Sequence, residues 1–548
     1  MDSTAGQDMS TKHPSQNPHK TLFPNFSGID GLARGIKLAF FVALFVLGLV
    51  LYRDYGLHWD TDAQIEIGKV NFAYVFEGDS SLLNFDNRYY GPIFELLLHI
   101  LTRGMPLRQV HLTRHLCTFL VFFGGVYAFY ELTRRITGKW QLGILGAFFL
   151  VASPRVFADA FYNSKDVPFM AVFIVGALSL DHYLDDKSFR SAAVHALASA
   201  LLIALRIPGL LIVGLTLAFL ILEILFHCGP LPRLKWAATG LFYLVLTLAL
   251  VVLFWPVLWH DPLRELVNAF QHMSHYPWLG GVMLYRAQFV EATALPWHYI
   301  LVWMLITIPL VYSFWFTAGG LRTAYVLAFH PGALFTPEKR RFLMVWGWFL
   351  APVVIVILLH STLYDGWRQL FFVYPPFLLL TVMGIQAALN LRLPRVSPRL
   401  AAAVVGLATI AGLLDPLGFM LRYHPNQNVY FNLLAGETMR EVKAKYELDY
   451  WGVSYRQGLE FILENDPSPE IRVAVANSPG RINAAILTEA QRKRLVFVRE
   501  PEEAQYFLTN YRYHPRPYDY KDEVFSVKIK DASILSVFRM STGASAGQ

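Results

Sequence analysis

The sequence predicts a polytopic α-helical membrane protein of about eleven spans, followed by a small soluble α/β domain. Hydrophobic residues make up 55% of the 548 residues and charged ones only 16%. With a mean hydropathy of +0.39, the chain is too apolar for a water-soluble protein of this length. Apolar runs close to the roughly 20 residues that cross a bilayer recur from about residue 36 to residue 421. Beyond Tyr423 the composition becomes that of a soluble domain.

Residues 1–35 are rich in Ser, Asn, Pro and His and precede the first apolar run, which predicts a disordered cytoplasmic tail rather than a cleaved signal. The transmembrane part covers residues 36–421. Spans are expected at about 36–52, 111–132, 140–157, 167–184, 191–205, 207–228, 236–258, 298–317, 342–359, 369–389 and 400–421. Between the fifth and sixth, Arg206-Ile207-Pro208-Gly209 interrupts one long apolar stretch, as a hairpin or as a kink.

The connectors set the orientation. If all eleven runs cross, Lys37, Arg134-Arg135 with Lys139, Lys187 with Arg190, Arg233 with Lys235, Lys339-Arg340-Arg341, and Arg392, Arg395 and Arg399 share one face. The positive-inside rule makes that face cytoplasmic. The N-terminus is then inside, and the C-terminal domain, residues 422–548, is extracytoplasmic. A large first outer loop covers 53–110, in which Pro92 to Arg103 aligns Glu95, His99, Thr102 and Arg103 on one stripe of an apolar helix. Such a helix lies in the interface rather than across it. The soluble domain should hold strands at Ile471–Ala476, Leu495–Val498, Tyr506–Thr509 and a broken hairpin over Val524–Phe538, with helices near 454–465 and 481–492.

Some function classes are excluded at this stage. The net charge of +7 arises mostly in the short connectors, where it sets topology, so nucleic acid is not an expected partner. The two cysteines, Cys117 and Cys228, lie in or beside apolar runs near opposite faces. They predict neither a disulfide framework nor a thiolate metal site.

Polar residues at the ends of spans are costly to place and mark candidate sites. The first outer loop opens with Gly56-Leu57-His58-Trp59-Asp60-Thr61-Asp62. Two carboxylates one residue apart near the membrane surface suit a general base and a metal or hydroxyl ligand; they equally suit a helix cap. A second set lies in Arg88-Tyr89-Tyr90-Gly91-Pro92, Tyr162-Asn163-Ser164-Lys165-Asp166, Arg206, and His360-Ser361-Thr362-Leu363-Tyr364-Asp365-Gly366-Trp367-Arg368. Lys165, Arg206 and Arg368 project from the outer ends of spans, where they suit a lipid phosphate or simply snorkel to headgroups. The outer histidines 58, 272, 275, 298 and 360 form no close metal-binding pair. The Trp-rich segments 254–259 and 296–299 read as interfacial belts.

Taken together, GLHWDTDAQIEIG, RYYGPIFELL, SPRVFADAFYNSKDVPFM, ALRIPGL, LYDGWRQLFFVYP, YHPNQNVYFN and DYWGVSYRQGLEF resemble the GT-C glycosyltransferases. The similarity is to family-39-like bacterial members related to protein O-mannosyltransferases and the lipid A aminoarabinose transferase. The resemblance implies an inverting transferase in the bacterial inner membrane. It would move a hexosyl or pentosyl unit from a polyprenyl-phosphate donor to an acceptor hydroxyl on a glycan, lipid or protein. It also implies Asp60 as catalytic base, with Asp62 as a second carboxylate; the family often has Asp-Glu at this point, where this sequence has Asp60-Thr61-Asp62. The implied donor-phosphate residues are Lys165, Arg206, Arg368 and Arg88, and the implied pocket residues are Tyr90, Asn163, His360, Tyr364 and Asp365. No cofactor follows, and a divalent cation on Asp60 and Asp62 stays open. The rival reading is a lipid or solute transporter, whose polar groups would gather at the midplane, often in two similar halves.

Overall fold

The computed structural model describes residues 28–226, 230–274, 276, 278, 281–329, 336–392, 394 and 396–540. Cys228 and His275 lie outside the described residues. All eleven apolar runs form helices, but not all as straight spans. Among the described residues, eight helices are long and apolar enough to cross a membrane, or ten if each of two bent pairs is one span. The chain is an integral membrane protein; of the eleven expected runs, eight are long, apolar helices, two are bent pairs and one, Phe189–Leu205, is a shorter apolar helix.

The three departures have physical reasons. The run expected at 140–157 continues to Tyr162 but turns by 70° between Trp140–Val151 and Pro154–Tyr162. Pro154 lacks the N–H that would continue the first helix and sits at the first position of the second. The run at 298–317 turns by 119° between Tyr299–Thr307 and Leu310–Phe329, around Pro309. Phe189–Leu205 is only 17 residues long, ending where Arg206 takes an extended conformation before the Ile207–Gly209 turn. The 206–209 interruption is thus a turn between two packed helices.

The core is densely aromatic. Asp166–Asp186 and Arg368–Asn390, with 78% and 89% of their most apolar windows buried, are central; Gly31–Leu51 and Pro398–Arg422, at 17% each, are peripheral. The helices Leu310–Phe329 and Tyr374–Asn390 meet through Gly319 and Gly384. A Cβ on Gly319 would stand 1.9 Å from the Leu380 carbonyl oxygen, and one on Gly384 2.0 Å from that of Trp315. Only glycine allows two backbones to approach this closely. Of the two Trp-rich segments, Trp259 and Trp297 are exposed, whereas Trp255 is fully buried and belongs to the interior.

Two features bring loops to one end of the bundle. The interfacial helix, Ile93–Thr102, buries Glu95, which pairs with Arg114 at 2.5 Å and accepts from Ser164 at 2.5 Å. A short hairpin of β1 (Val282–Tyr285) and β2 (Gln288–Glu291) lies between spans. The soluble domain holds β3 (Ile471–Val475), β4 (Leu495–Phe497), β5 (Tyr506–Thr509), β6 (Glu523–Ile529) and β7 (Ala532–Arg539) in one sheet of order β4-β3-β5-β7-β6. The first three strands are parallel, and β7 runs antiparallel to both β5 and β6. Helix Tyr455–Asn465 packs on this sheet. The helix expected at 481–492 is divided, because Leu487 and Thr488 are extended and Thr488 caps a new turn.

Candidate active site

The site forms where the loop 53–110 meets the loops that precede Asp166–Asp186 and Arg368–Asn390. The segment Gly56–Asp60 is held in place by the soluble domain: Asn483 accepts from the Leu57 N–H at 2.8 Å and donates to the Leu57 carbonyl at 2.8 Å. Asp60 then sits at the start of helix Thr61–Phe72 without capping it through its side chain. With no cap to make, its carboxylate is free to turn inward. Lys165 Nζ lies 3.2 Å and Arg368 Nη2 3.4 Å from Asp60 Oδ2.

Asp60 opens onto a cavity of about 120 Å³ walled by Trp59, Tyr90, Tyr276, Trp278 and Tyr364, with Gln64, Asn87, Lys165, Asp365 and Arg512 as further polar lining. Trp278 and Tyr364 have their rings 4.4 Å apart. Aromatic faces interleaved with amides and carboxylates suit a polyhydroxylated ring, whose C–H faces stack while its hydroxyls hydrogen-bond.

Behind the cavity runs a chain of buried charges. Arg368, fully buried, is 3.0 Å from Asp166 Oδ2 and 3.4 Å from Asp365 Oδ2, and its guanidinium carbon lies 4.3 Å from the Trp451 ring centroid. Arg206 pairs with the other oxygen of Asp166. Asn163 donates to Asp166 at 3.0 Å and to Asp159 at 3.0 Å, orienting Asp166 between the two arginines. Arg512, from the loop after β5, reaches Asp365 at 2.7 Å and lies over Trp59, 4.7 Å from the ring centroid.

These charges set the ionisation of the loop. Burial pushes the Asp60 carboxyl up, but Lys165 and Arg368 together outweigh it and hold the group well below the usual carboxylate range. Asp60 is an anion. Burial is the largest influence on His58 and lowers its pKa to about 3, with Lys165 and Arg368 acting in the same direction against Asp60. His58 is therefore neutral, and its Nδ1 accepts from the Asp60 N–H at 3.2 Å.

Of the residues singled out in the sequence, Asp60, Lys165, Tyr90, Tyr364 and Asp365 line the cavity. Arg368, Arg206 and Asn163 stand behind it in the charge chain. Arg368 is too buried to meet a ligand directly and acts on Asp60. Three others are placed elsewhere. Asp62 is exposed on the helix surface, because two residues along a helix turn a side chain by about 200°, to the opposite face. Arg88 is half-buried and donates to the Phe85 carbonyl at 3.1 Å. His360 lines a separate cavity of about 240 Å³ with Trp297 and Tyr299.

A divalent cation is poorly matched by these residues. Asp62 does not join Asp60, and the Asp60 Oδ2 already faces two cations. Among the described residues no cluster of three His, Cys, Asp or Glu is placed to ligate a metal. Sequence reasoning missed Arg512, Gln64, Asn87, Tyr276 and Trp278 as lining residues. Arg512 carried no signal, since YRYHPRP has no feature distinguishing it from an ordinary surface turn.

A second cavity completes the geometry. A groove of about 490 Å³ lined by Leu211, Gly214, Pro352, Ile355 and Phe372 runs between helices Leu210–Phe226 and Pro337–Leu358, with Arg206 and Gln369 on its wall. Arg206 thus belongs both to this apolar groove and to the charge chain that ends on Asp60.

No protein-family model matches the chain, and no curated protein does. Among solved structures, the chain is similar to ArnT from Cupriavidus metallidurans bound to undecaprenyl phosphate. The identity is 15%, with 93% of this chain and 98% of that one covered at a TM-score of 0.44. It is also similar to the apo oligosaccharyltransferase of Archaeoglobus fulgidus, at 11% identity over 85% of this chain and 65% of that one, with a TM-score of 0.45. Archaeal AglB from the same organism, in complex with an inhibitory peptide and a dolichol-phosphate, gives 11% identity over 86% and 70%, at 0.45. At TM-scores below 0.5 these overlaps bear on no individual residue of the site.

Proposed function

We propose that this chain is a membrane glycosyltransferase of GT-C type. It would take a sugar from a polyprenyl-phosphate donor and transfer it, with inversion, to an acceptor hydroxyl at the extracytoplasmic face. The observation that carries the reading is the chain of ion pairs, Arg206 to Asp166 to Arg368, that links an apolar groove with Arg206 on its wall to an ionised Asp60 on an aromatic-walled cavity with Lys165 on its wall. A lipid tail fits the groove, a phosphate fits Arg206 and Lys165 on the two cavity walls, and a sugar fits the aromatic-walled cavity.

In this account the acceptor hydroxyl approaches Asp60 inside the cavity and gives its proton to the carboxylate as its oxygen attacks the anomeric carbon. The C–O bond to the lipid phosphate breaks, and the leaving phosphate gathers negative charge. Lys165 on the cavity wall and Arg206 on the groove wall are the cations available to it. A carboxylate tied to two cations is a weak base. An incoming donor phosphate competes with Asp60 for Lys165, so binding the donor weakens that tie and raises the basicity of Asp60 when it is needed.

A midplane transport pathway is less well supported, because the buried ion pairs gather at the ends of the spans, around Asp60 and Asp166 at one end and around Asp181 and Asp185 at the other. The test is to incubate the purified, detergent-solubilised protein with polyprenyl-phosphate-linked hexose and pentose donors and to measure free polyprenyl phosphate and sugar. Release or transfer from at least one donor supports the reading. No turnover of any donor, with movement of the intact lipid in reconstituted vesicles, would favour transport.

A further inference from the structure

At the opposite end of the bundle from Asp60, the ends of helices Leu107–Thr137, Leu310–Phe329, Pro337–Leu358 and Tyr374–Asn390 enclose a cavity of about 420 Å³. Its walls carry Arg135, Arg322 and Arg341, the amide of Gln386, one carboxylate at Glu338 and an apolar side that includes Phe342. The face is the one where the basic connectors gather.

The three arginines are not fully used by the fold. Arg135 donates through Nε to Asp181 at 2.7 Å and through Nη2 to Asp185 at 2.7 Å. Arg341 reaches Asp181 through Nε at 2.7 Å and through Nη2 at 3.3 Å, and reaches Asp185 through Nη2 at 3.0 Å. Among the described residues the Nη1 group of each has no partner and is not among the buried unpartnered atoms, so both are accessible. Arg322 is exposed and makes no ion pair among the described residues.

Charge bookkeeping points the same way. The ion-paired cluster beneath the cavity sets four cations, Arg135, Arg340, Arg341 and Lys187, against three carboxylates, Asp181, Asp185 and Glu223. On the wall itself, Arg322 and Glu338 cancel. One positive charge is left over at a site lined by uncommitted guanidinium N–H groups.

We propose that this cavity binds one anionic phosphodiester, the headgroup of a membrane phospholipid with a single net negative charge. Forked guanidinium donors match phosphate oxygens, basic recesses between spans at this membrane face collect anionic headgroups, and the apolar wall gives the first part of an acyl chain a dry surface. A soluble phosphate would use the same donors and leave that wall wet.

The test uses the full-length protein, delipidated in detergent and titrated with dioleoyl-phosphatidylglycerol, dioleoyl-phosphatidylcholine or inorganic phosphate, with bound molecules counted by native mass spectrometry. The wild type should retain one phosphatidylglycerol and no phosphatidylcholine. Arg322→Ala, a change at an exposed position that leaves the ion-paired cluster intact, should weaken retention by about tenfold, the equivalent of one charge-assisted hydrogen bond. Arg399→Ala, on the same face but outside the cavity, should leave retention unchanged. Equal retention by Arg322→Ala and the wild type, or an equal loss in Arg399→Ala, would overturn the site. Full displacement of phosphatidylglycerol by millimolar inorganic phosphate would support the anion site and assign it to a soluble phosphate.

Discussion

Arg512 of the soluble domain donates to Asp365 of the membrane part across 2.7 Å, with both side chains almost wholly buried, at 2% and 5% exposed. One ion pair therefore ties the two parts of the chain together at the wall of the candidate active site. Arg512 also donates to the Tyr450 carbonyl at 2.6 Å, so the loop after β5 is positioned from both sides. The soluble domain is in this sense part of the site.

Removing one partner of this pair strands the other in a buried position, which typically costs about 3–5 kcal/mol. Arg512→Ala and Asp365→Asn should each lower the thermal unfolding midpoint and reduce donor turnover at least tenfold. The double variant should recover part of the stability lost in either single variant. A double-mutant cycle on unfolding in detergent measures this coupling, and strict additivity would show that the pair does not couple the domains.

Glu447 lies beside this pair, buried, with Oε1 unpartnered. Burial raises its pKa to about 7, opposed by Arg512 and reinforced by Asp365. An unfolded glutamate titrates near 4.3, so between that value and about 7 the folded protein holds a proton that the unfolded chain has released. Its contribution to stability is then full below pH 4.3, falls as pH rises toward 7, and is flat above. Glu447→Gln should flatten this slope in unfolding midpoints measured from pH 5 to 8.

The groove behind Arg206 is where chain length of the lipid should matter. Gly214 lines it, and a Cβ there meets nothing within 4 Å, so Gly214→Phe can fill the groove without disturbing the helix. KM for a long polyprenyl donor should rise about tenfold, while KM for a donor with a two-isoprene tail stays near that of the wild type. An equal rise for both donors would show that the groove does not hold the tail.

The contact of Gly319 with Gly384 predicts a purely structural effect. A Cβ at Gly384 would sit 2.0 Å from the Trp315 carbonyl oxygen and 2.8 Å from the Gly319 nitrogen, both backbone atoms with little room to give. Gly384→Ala should destabilise by about 1–3 kcal/mol and lower the yield of folded protein. Size-exclusion profiles and unfolding midpoints in detergent check this.

Hydropathy and charge made the membrane part legible, because a spanning helix must be long and apolar and its cytoplasmic ends collect Lys and Arg. They did not show where a run bends. Pro154 and Pro309 are visible in the sequence, but a proline signals a break without saying whether the chain continues at 70° or at 119°. In the site, Asp60, Lys165 and Asp365 stood out because polar groups beside apolar runs are expensive. Asp62 stood out for the same reason, and helical geometry then turned it to solvent. Arg512 and Glu447 were illegible because, in a soluble domain, charged residues are ordinary. Their burial is a property of how that domain docks.

The most direct test of the account is single-turnover sugar transfer from a polyprenyl-phosphate donor by the wild type and by Asp60→Asn, with unfolding midpoints confirming that both are folded. Loss of the general base should slow transfer by about 10²–10⁴-fold and leave donor binding in place. Transfer by Asp60→Asn at the wild-type rate would contradict the assignment of Asp60 as the base.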